Sequence, residues 1–252
     1  MKTRGRYFEV GLISFLIFTF FNSPIITGKS GFNLALASTE QTVGQEEAQN
    51  GQKVNDPYEH FNRGVFDFND HMYFYVLKPV ARVYSLGIPT ELREAIRNGF
   101  HNLVFPSRFV NFVLQAKGDK AVNELIRFVI NSTMGMAGLF DIAQARFGLE
   151  NHESDFGQTL ALGGVVSGPF LVIPVLGPSN PRDLFGFGVD SVLDPLFWIP
   201  ADWCVSFAVE AGKFVNRTSL QIGQYEELKK ASLDPDIAMR DAYLQYRAHI
   251  LE

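Results

Sequence analysis

Apolar residues recur along this chain at helical spacing. Phe61, Val65, Phe68, Met72 and Tyr75 lie three or four residues apart, the period of one helix face. Asp56-Pro57 with Glu59 ahead of them supplies a capping side chain, a proline at the first helical position and an acidic first turn; Lys78-Pro79 predicts the end of that helix. A second helix is predicted from Thr90 through Leu92, Ile96, Phe100 and Leu103 to Pro106. A short one runs from Ser107 to Gly118, and another, capped by Asp119, carries Val122, Leu125, Ile126 and Val129. Asn180-Pro181 with Asp183 repeats the cap-then-proline signature, as does Asp234-Pro235. Between them Trp203, Phe207, Ala211, Phe214, Thr218, Ile222 and Tyr225 mark a long amphipathic helix. Only Phe170 to Val175, set among prolines, reads as extended. The pattern predicts an all-α fold.

The first 55 residues follow a different rule. Lys2, Arg4 and Arg6 precede a largely apolar run from Val10 to Phe21, and Ala35-Leu36-Ala37 offers a small-residue cleavage site, so residues 1–37 read as an export signal. The run is short of the ~20 residues a spanning helix needs. Residues 38–55 are rich in Gln, Glu, Gly, Asn, Ser and Thr, a composition that cannot bury enough apolar surface to order itself, and read as a flexible polar leader. Residues 56–252 form a single domain of ordinary size. After residue 55 no uninterrupted apolar run of 18 residues occurs, so no later segment is predicted to thread a bilayer as a helix.

Composition sharpens this picture at three points. The chain has a net charge of −5 and loses more cations than anions with its signal, so it carries no phosphate-backbone footprint, and nucleic acid is not a predicted partner. Its single cysteine, Cys204, sits among Trp203, Val205 and Phe207; it excludes an intramolecular disulfide and reads as a small buried hydrophobe. The 24 phenylalanines include Phe66, Phe74, Phe105, Phe140, Phe147, Phe185, Phe187 and Phe197 beside the regular stripes. They either fill the core or turn apolar faces outward into a membrane interface, which helices tolerate because their backbone bonds are internally satisfied.

The middle of the chain carries the most specific pattern. Arg127-Phe128, Asn131-Ser132, Gly135, Gly138 and Asp141 are followed by Asp155-Phe156-Gly157-Gln158-Thr159-Leu160 and Gly168-Pro169-Phe170. Pro174, Gly177-Pro178 and Arg182-Asp183 then close the block. On spacing alone Gly135 and Gly138 serve equally well as a helix stop. With Gly157, Gly163, Gly164 and Gly168 among Gln158, Thr159 and Ser167, they describe a backbone that bends sharply and shows polar groups beside aliphatic ones, a surface suited to an amphipathic ligand. This block resembles the MlaA (VacJ) family of outer-membrane lipid-asymmetry proteins. The resemblance extends to Asp56-Pro57-Tyr58-Glu59, Phe61-Asn62-Arg63, Phe68-Asn69, Val76 to Ala81, Val110-Asn111, Leu114-Gln115, Ser232 to Pro235 and Arg240 to Leu244. Tyr73 stands where an aspartate is usual, Ala116 and Val166 where glycines are, and Gly163 where an aromatic is.

The resemblance implies amphipathic helices arranged as a ring around a central channel, at the periplasmic face of the outer membrane. Phospholipids would pass from the outer leaflet through it to a soluble periplasmic lipid-binding protein, and onward to an inner-membrane ATP-driven transporter complex. An outer-membrane porin trimer would be the membrane partner. Lipid anchoring through an acylated cysteine, common in the family, has no residue to use here near the signal. Phe68, Asn69, Asn131, Gly135, Gly138, Gln158, Thr159 and Gly168 are the candidates for the lipid path, with Phe68-Asn69 at its opening and Asn131, Gln158 and Thr159 lining it. Helix caps and core hydrogen bonds are the competing tasks for the same polar residues. No cofactor is implied, and no phosphate-binding loop of the G-x-x-x-x-G-K-[ST] type is present. A lipid hydrolase is disfavoured because Gly164 to Gly168 misses the G-x-S-x-G spacing and the five histidines form no metal-binding pattern. A porin-bound envelope scaffold without lipid passage is the other alternative.

Overall fold

A computed structural model describes residues 56–199 and 202–251; the expected signal and leader lie outside them. The chain is built of helices joined by short turns: α1 (Glu59–Met72), α2 (Lys78–Gly87), α3 (Thr90–Leu103), α4 (Phe105–Leu114), α5 (Gly118–Thr133), α6 (Ile142–Phe147) and α7 (Phe156–Leu162). There follow a hairpin of β1 (Leu171–Ile173) and β2 (Gly177–Ser179), then α8 (Pro181–Leu193), a 3-10 turn (Pro195–Trp198), α9 (Trp203–Leu220), α10 (Gln224–Ala231) and α11 (Pro235–His249). The all-α expectation holds, with β1 falling inside the predicted extended segment. The two antiparallel strands pair Leu171 with Ser179 and Ile173 with Gly177.

Several boundaries depart from the sequence pattern for local reasons. The first helix does not end at Lys78-Pro79 but widens into a π-helical segment, Tyr73–Leu77, and continues as α2. Lys78 N–H reaches back to the Tyr73 carbonyl, and the widened turn brings the chain past a proline that has no donor of its own. Asp56 does not cap α1 through a helical N–H; its carboxylate instead accepts from Tyr58 N–H and Asn62 Nδ2, both at 2.9 Å. The long helix predicted from Trp203 to Tyr225 breaks at Gln221, where Gly223 takes φ 102° and α10 starts anew. The caps at Asn180 and Asp234 form as read, each accepting from helical N–H groups.

Packing closes on itself. α1 continues through the π segment to α2, α2 packs on α9, α9 on α3, α3 on α4, α4 on α7, α7 on α8, and the hairpin that leads into α8 returns to α1. The outcome is a ring of helices, with α11 set against β2.

Its helices are inverted relative to a water-soluble bundle. On α5 the periodic stripe Val122, Leu125, Ile126 and Val129 is exposed, while Glu124, Arg127 and Asn131 on the opposite side are buried. α2 likewise exposes Val80, Val83 and Leu86, the last 88 % accessible, and buries Ala81. Of the additional phenylalanines, Phe140, Phe147 and Phe185 face outward and Phe187 inward. Cys204 is exposed on the first turn of α9, not buried as its neighbours suggested, because Trp203 and Val205 flanking it are exposed too. Contiguous exposed apolar surface of this kind calls for an apolar environment. No helix among the described residues is long and apolar enough to cross a membrane.

Candidate functional site

α1, the π segment, the hairpin, α9, α10 and α11 bound a cavity of about 240 Å³. Much of its lining is hydrocarbon: Phe66, Leu77, Val172, Phe214, Leu228 and Met239. Four tyrosines add their rings, and three of them send their hydroxyls away into carboxylates. Tyr73 donates to Glu226 at 3.0 Å, Tyr225 to Asp70 at 2.9 Å and Tyr243 to Asp183 at 2.6 Å. Burial, and then the carboxylate beside each, pushes these three phenols far above their ordinary range, so they remain neutral donors. Tyr246 is raised to about 12 by burial and by the charges of Glu153 and Asp155. The tyrosines thus present apolar faces to the cavity although each carries a polar atom.

Polar side chains stand among these apolar ones. Arg217, Thr218, Gln221 and Gln224 follow one another along the end of α9 and the start of α10. Arg217 and Thr218 lie on the last turn of α9, Gln221 just past its end and Gln224 at the start of α10. Burial draws the Arg217 guanidinium down to about 10, against the opposing pull of Glu153 and Glu210, and it keeps its proton at neutral pH. Glu153 in turn sits 3.3 Å from His101 Nε2, with an alignment outside that of a hydrogen bond. Partial desolvation works against its charge, yet the neighbouring His101 ring, with help from Arg108, holds the carboxyl down at about 2.

A second polar region lies where α4, α7, α8 and α11 meet. Arg247 bridges Asp155 at 2.6 and 3.2 Å and Asp183 at 2.8 Å. Asp183 also accepts from Asn180 at 2.8 Å and pairs with Arg182 at 3.0 Å. Asp190 accepts from Ser107 and Asn111 at 2.7 Å and from Phe156 N–H at 2.8 Å. Desolvation nevertheless pushes its carboxyl up to about 6, with Asp155 adding to the effect.

The path candidates fall into separate places. Asn69 lines the cavity, where its amide holds the hairpin turn by donating to the Ile173 carbonyl at 3.1 Å and accepting from Val175 N–H at 2.6 Å. That contact stabilises Val175 at φ 67°, a costly conformation for a β-branched residue. Phe68 beside it is exposed on the outer face. Asn131, Gly135 and Gly138 come together at the end of α5. Asn131 donates to Asp141 at 3.0 Å and accepts from Ala143 N–H, and Gly138 N–H donates to its carbonyl at 2.8 Å. A Cβ on Gly135 would lie 2.2 Å from the Phe140 carbonyl, and one on Gly138, at φ 91°, 2.3 Å from Asn102. Gln158 and Thr159 belong to the polar junction, bonded to Asp155 and to Asn111 and Gln115. Gly168, at φ 75°, packs on Pro181.

Arg217 and the tyrosines were missed by sequence reading. Arg217 lies just off the apolar stripe of α9, and its i+4 partner Gln221 was the available signal. Among the described residues no group of three or more His, Cys, Asp or Glu is placed to hold a metal ion.

The model of the MlaA lipoprotein family matches residues 54–249. An uncharacterised protein of Rickettsia felis is 37% identical over 196 residues, covering 75% of each chain. Two proteins named intermembrane phospholipid transport system lipoprotein MlaA also align. That of Haemophilus influenzae is 32% identical over 76% of this chain and 77% of its own, and that of Escherichia coli 31% identical over 84% of each. A solved structure described as the structural basis for maintenance of bacterial outer membrane lipid asymmetry superposes with TM-score 0.68 and 33% identity, over 79% of this chain and all of the other. The match along nearly the whole described chain, in sequence and in fold, makes this protein a member of the MlaA lipoprotein family.

Proposed function

We propose that this protein moves phospholipids that have strayed into the outer leaflet of the outer membrane inward, and so maintains lipid asymmetry. The ring sits in the inner leaflet on its exposed apolar stripes, and the cavity forms part of the lipid's passage. A soluble periplasmic lipid-binding protein receives the lipid and an inner-membrane ATP-driven complex draws it onward; a porin trimer holds the ring in place. The observation that carries this reading is the cavity itself, lined mostly by hydrocarbon and aromatic side chains with a cation and several amides among them, in a protein whose helices turn apolar stripes outward. The family's named members, called intermembrane phospholipid transport system lipoproteins, support a role in phospholipid transport. No catalytic step is part of the proposal.

The test fills the cavity without touching the outer surface. Ala242 lines it from α11, and Ala242→Phe places a ring in the passage. Phospholipid is expected to accumulate in the outer leaflet of cells carrying the variant, while protein level and porin association stay normal. Preserved asymmetry in a stable, porin-bound variant would instead favour a scaffold without lipid passage.

A further inference from the structure

We propose that α10 is a hinged wall of the cavity, latched shut by Asp70 and Glu226, and that a lipid leaves the cavity toward water when the latch opens. The inference rests on the passage reading above and adds the element that must move. Gln224, Tyr225 and Leu228 of α10 line the cavity, whereas Glu227 and Lys230 are exposed, so a single helix separates the cavity from the outside here. That outer side is charged. The outer sides of α2 and α5 are apolar, so α10 borders water where they border hydrocarbon.

Both ends of α10 are breaks in helical geometry, the kind of position that absorbs a hinge motion. Gly223 before it takes φ 102° in open space, and Ser232 after it is extended. Its backbone is not packed along another helix as α9 is along α2 and α3. Side chains hold it instead, in two sets built around one carboxylate each. Glu226 of α10 accepts from Tyr73 at 3.0 Å and pairs with Lys78, and it also accepts from Gly223 N–H at 2.9 Å, which fixes the hinge itself. Asp70 of α1 accepts from Tyr225 at 2.9 Å and from Lys229 at 2.7 Å, both on α10. Each carboxylate thus takes a phenol and an ammonium from the opposite side of the seam. The two ammonium groups also lie over the Phe74 ring, 5.1 and 5.2 Å from its centre. The Lys229 side chain is 37 % accessible, so water reaches the seam. Charge pairs at such a place separate and re-form without uncovering a large apolar core, which suits a wall that opens and closes again.

The experiment uses the full chain in phospholipid nanodiscs, in a Cys204→Ser background that removes the exposed native thiol. Leu228→Cys places a thiol on the inner side of α10, and a water-soluble maleimide reads its exposure. Adding Glu226→Gln is expected to raise the labelling rate roughly tenfold, and adding Asp70→Asn instead to do the same. Ala143→Cys, fully buried on α6 away from the cavity, is expected to label no faster in either case, which separates opening of α10 from general loosening. The second arm is in cells, with Asp70→Cys and Lys229→Cys joined by a short bifunctional methanethiosulfonate that ties α10 to α1. Outer-leaflet phospholipid is expected to rise on tying to the level of cells that lack the protein, and to fall again when a reductant releases the tie. The Cys204→Ser parent treated alike is expected not to respond. Asymmetry indifferent to the tie would overturn the hinged wall and leave the passage reading standing, and so would Leu228→Cys labelling indifferent to both carboxylates. Cells without the protein that keep wild-type asymmetry would defeat the passage reading and the hinged wall with it.

Discussion

The junction of α4, α7, α8 and α11 and the cavity between α1, α9 and α10 use similar residues to opposite ends. At the junction, charges face one another: Arg247 is held by Asp155 and Asp183, and Asp190 by three donors. Around the cavity, apart from Arg217 and Asp236, charges are occupied at its edge. Asp70, Glu226 and Asp183 take up the tyrosine hydroxyls, and Lys229 pairs with Asp70 at 2.7 Å, so rings are left to form the wall. An inverted protein cannot rely on a large apolar core; its apolar residues are needed outside. It fixes its shape with buried polar contacts that have geometry, and keeps apolar surface inward around the cavity. Asn62 shows the principle at small scale. Fully buried, it donates to Asp56 at 2.9 Å and to the Phe170 carbonyl at 3.1 Å, and accepts from Val172 N–H at 2.8 Å, tying α1 to the hairpin.

If the junction is the mechanical anchor, breaking it should cost far more than disturbing the cavity. Arg247→Met removes the partner of two carboxylates that have little access to water, and about 3–5 kcal/mol of stability is expected to be lost. Ala242→Phe, directed into open space, should change stability by about 1 kcal/mol or less. Denaturant midpoints in detergent measure both. Comparable losses would mean that the two regions do not divide the work in this way.

The turn after α5 sharpens the comparison at the level of the backbone. Gly138→Val combines a left-handed φ with overlap against Asn102, whose amide is meanwhile bonded to Ser132 at 2.9 Å. A loss of about 2 kcal/mol or more is expected, with reduced protein level rather than a selective transport defect. A stable Gly138→Val protein that fails to maintain lipid asymmetry would move this turn from the supporting side to the passage.

The helices were legible because periodicity survives inversion: Val122, Leu125, Ile126 and Val129 mark α5 whether the stripe faces core or lipid. The direction of the stripe was not legible, since the same spacing serves both. Only the opposing row of Glu124, Arg127 and Asn131, too well paired for a solvated face, distinguishes them, and that pairing involves Arg108 on α4 and Asp141 beyond the helix. The glycine-rich block was read correctly as a place of sharp turns, with Gly138 and Gly168 at positive φ. The cavity wall was missed because it is assembled from residues distant in sequence. Tyr73 and Tyr225 touch with ring centroids 4.8 Å apart, and nothing in either local pattern announces the other.

The smallest expected effect concerns protonation at the junction. Burial raises the Asp190 carboxyl to about 6, above the ordinary value of an unfolded aspartate, so between those two values the folded state binds the extra proton. Stability from this group therefore rises as pH falls through 6 and is diminished above it, the reverse of a salt-bridged carboxylate. Between pH 7 and pH 5 the gain should be about 1 kcal/mol. Asp183, held low by the charges of Arg247 and Arg182 against its own desolvation, works in the opposite sense only at more acidic pH, and so leaves this window clear. Asp190→Asn should abolish the gain, and it should also lower stability at every pH, because one carboxamide group must now meet donors on both sides. The cavity's neutral tyrosines and protonated Arg217 do not titrate in this range, but burial also raises the carboxyl of Asp236 in its lining, so the Asp190→Asn comparison is needed to assign the response. A wild-type midpoint that rises on mild acidification and an Asp190→Asn midpoint that does not would locate the pH response in the junction. The same rise in both proteins would place it elsewhere.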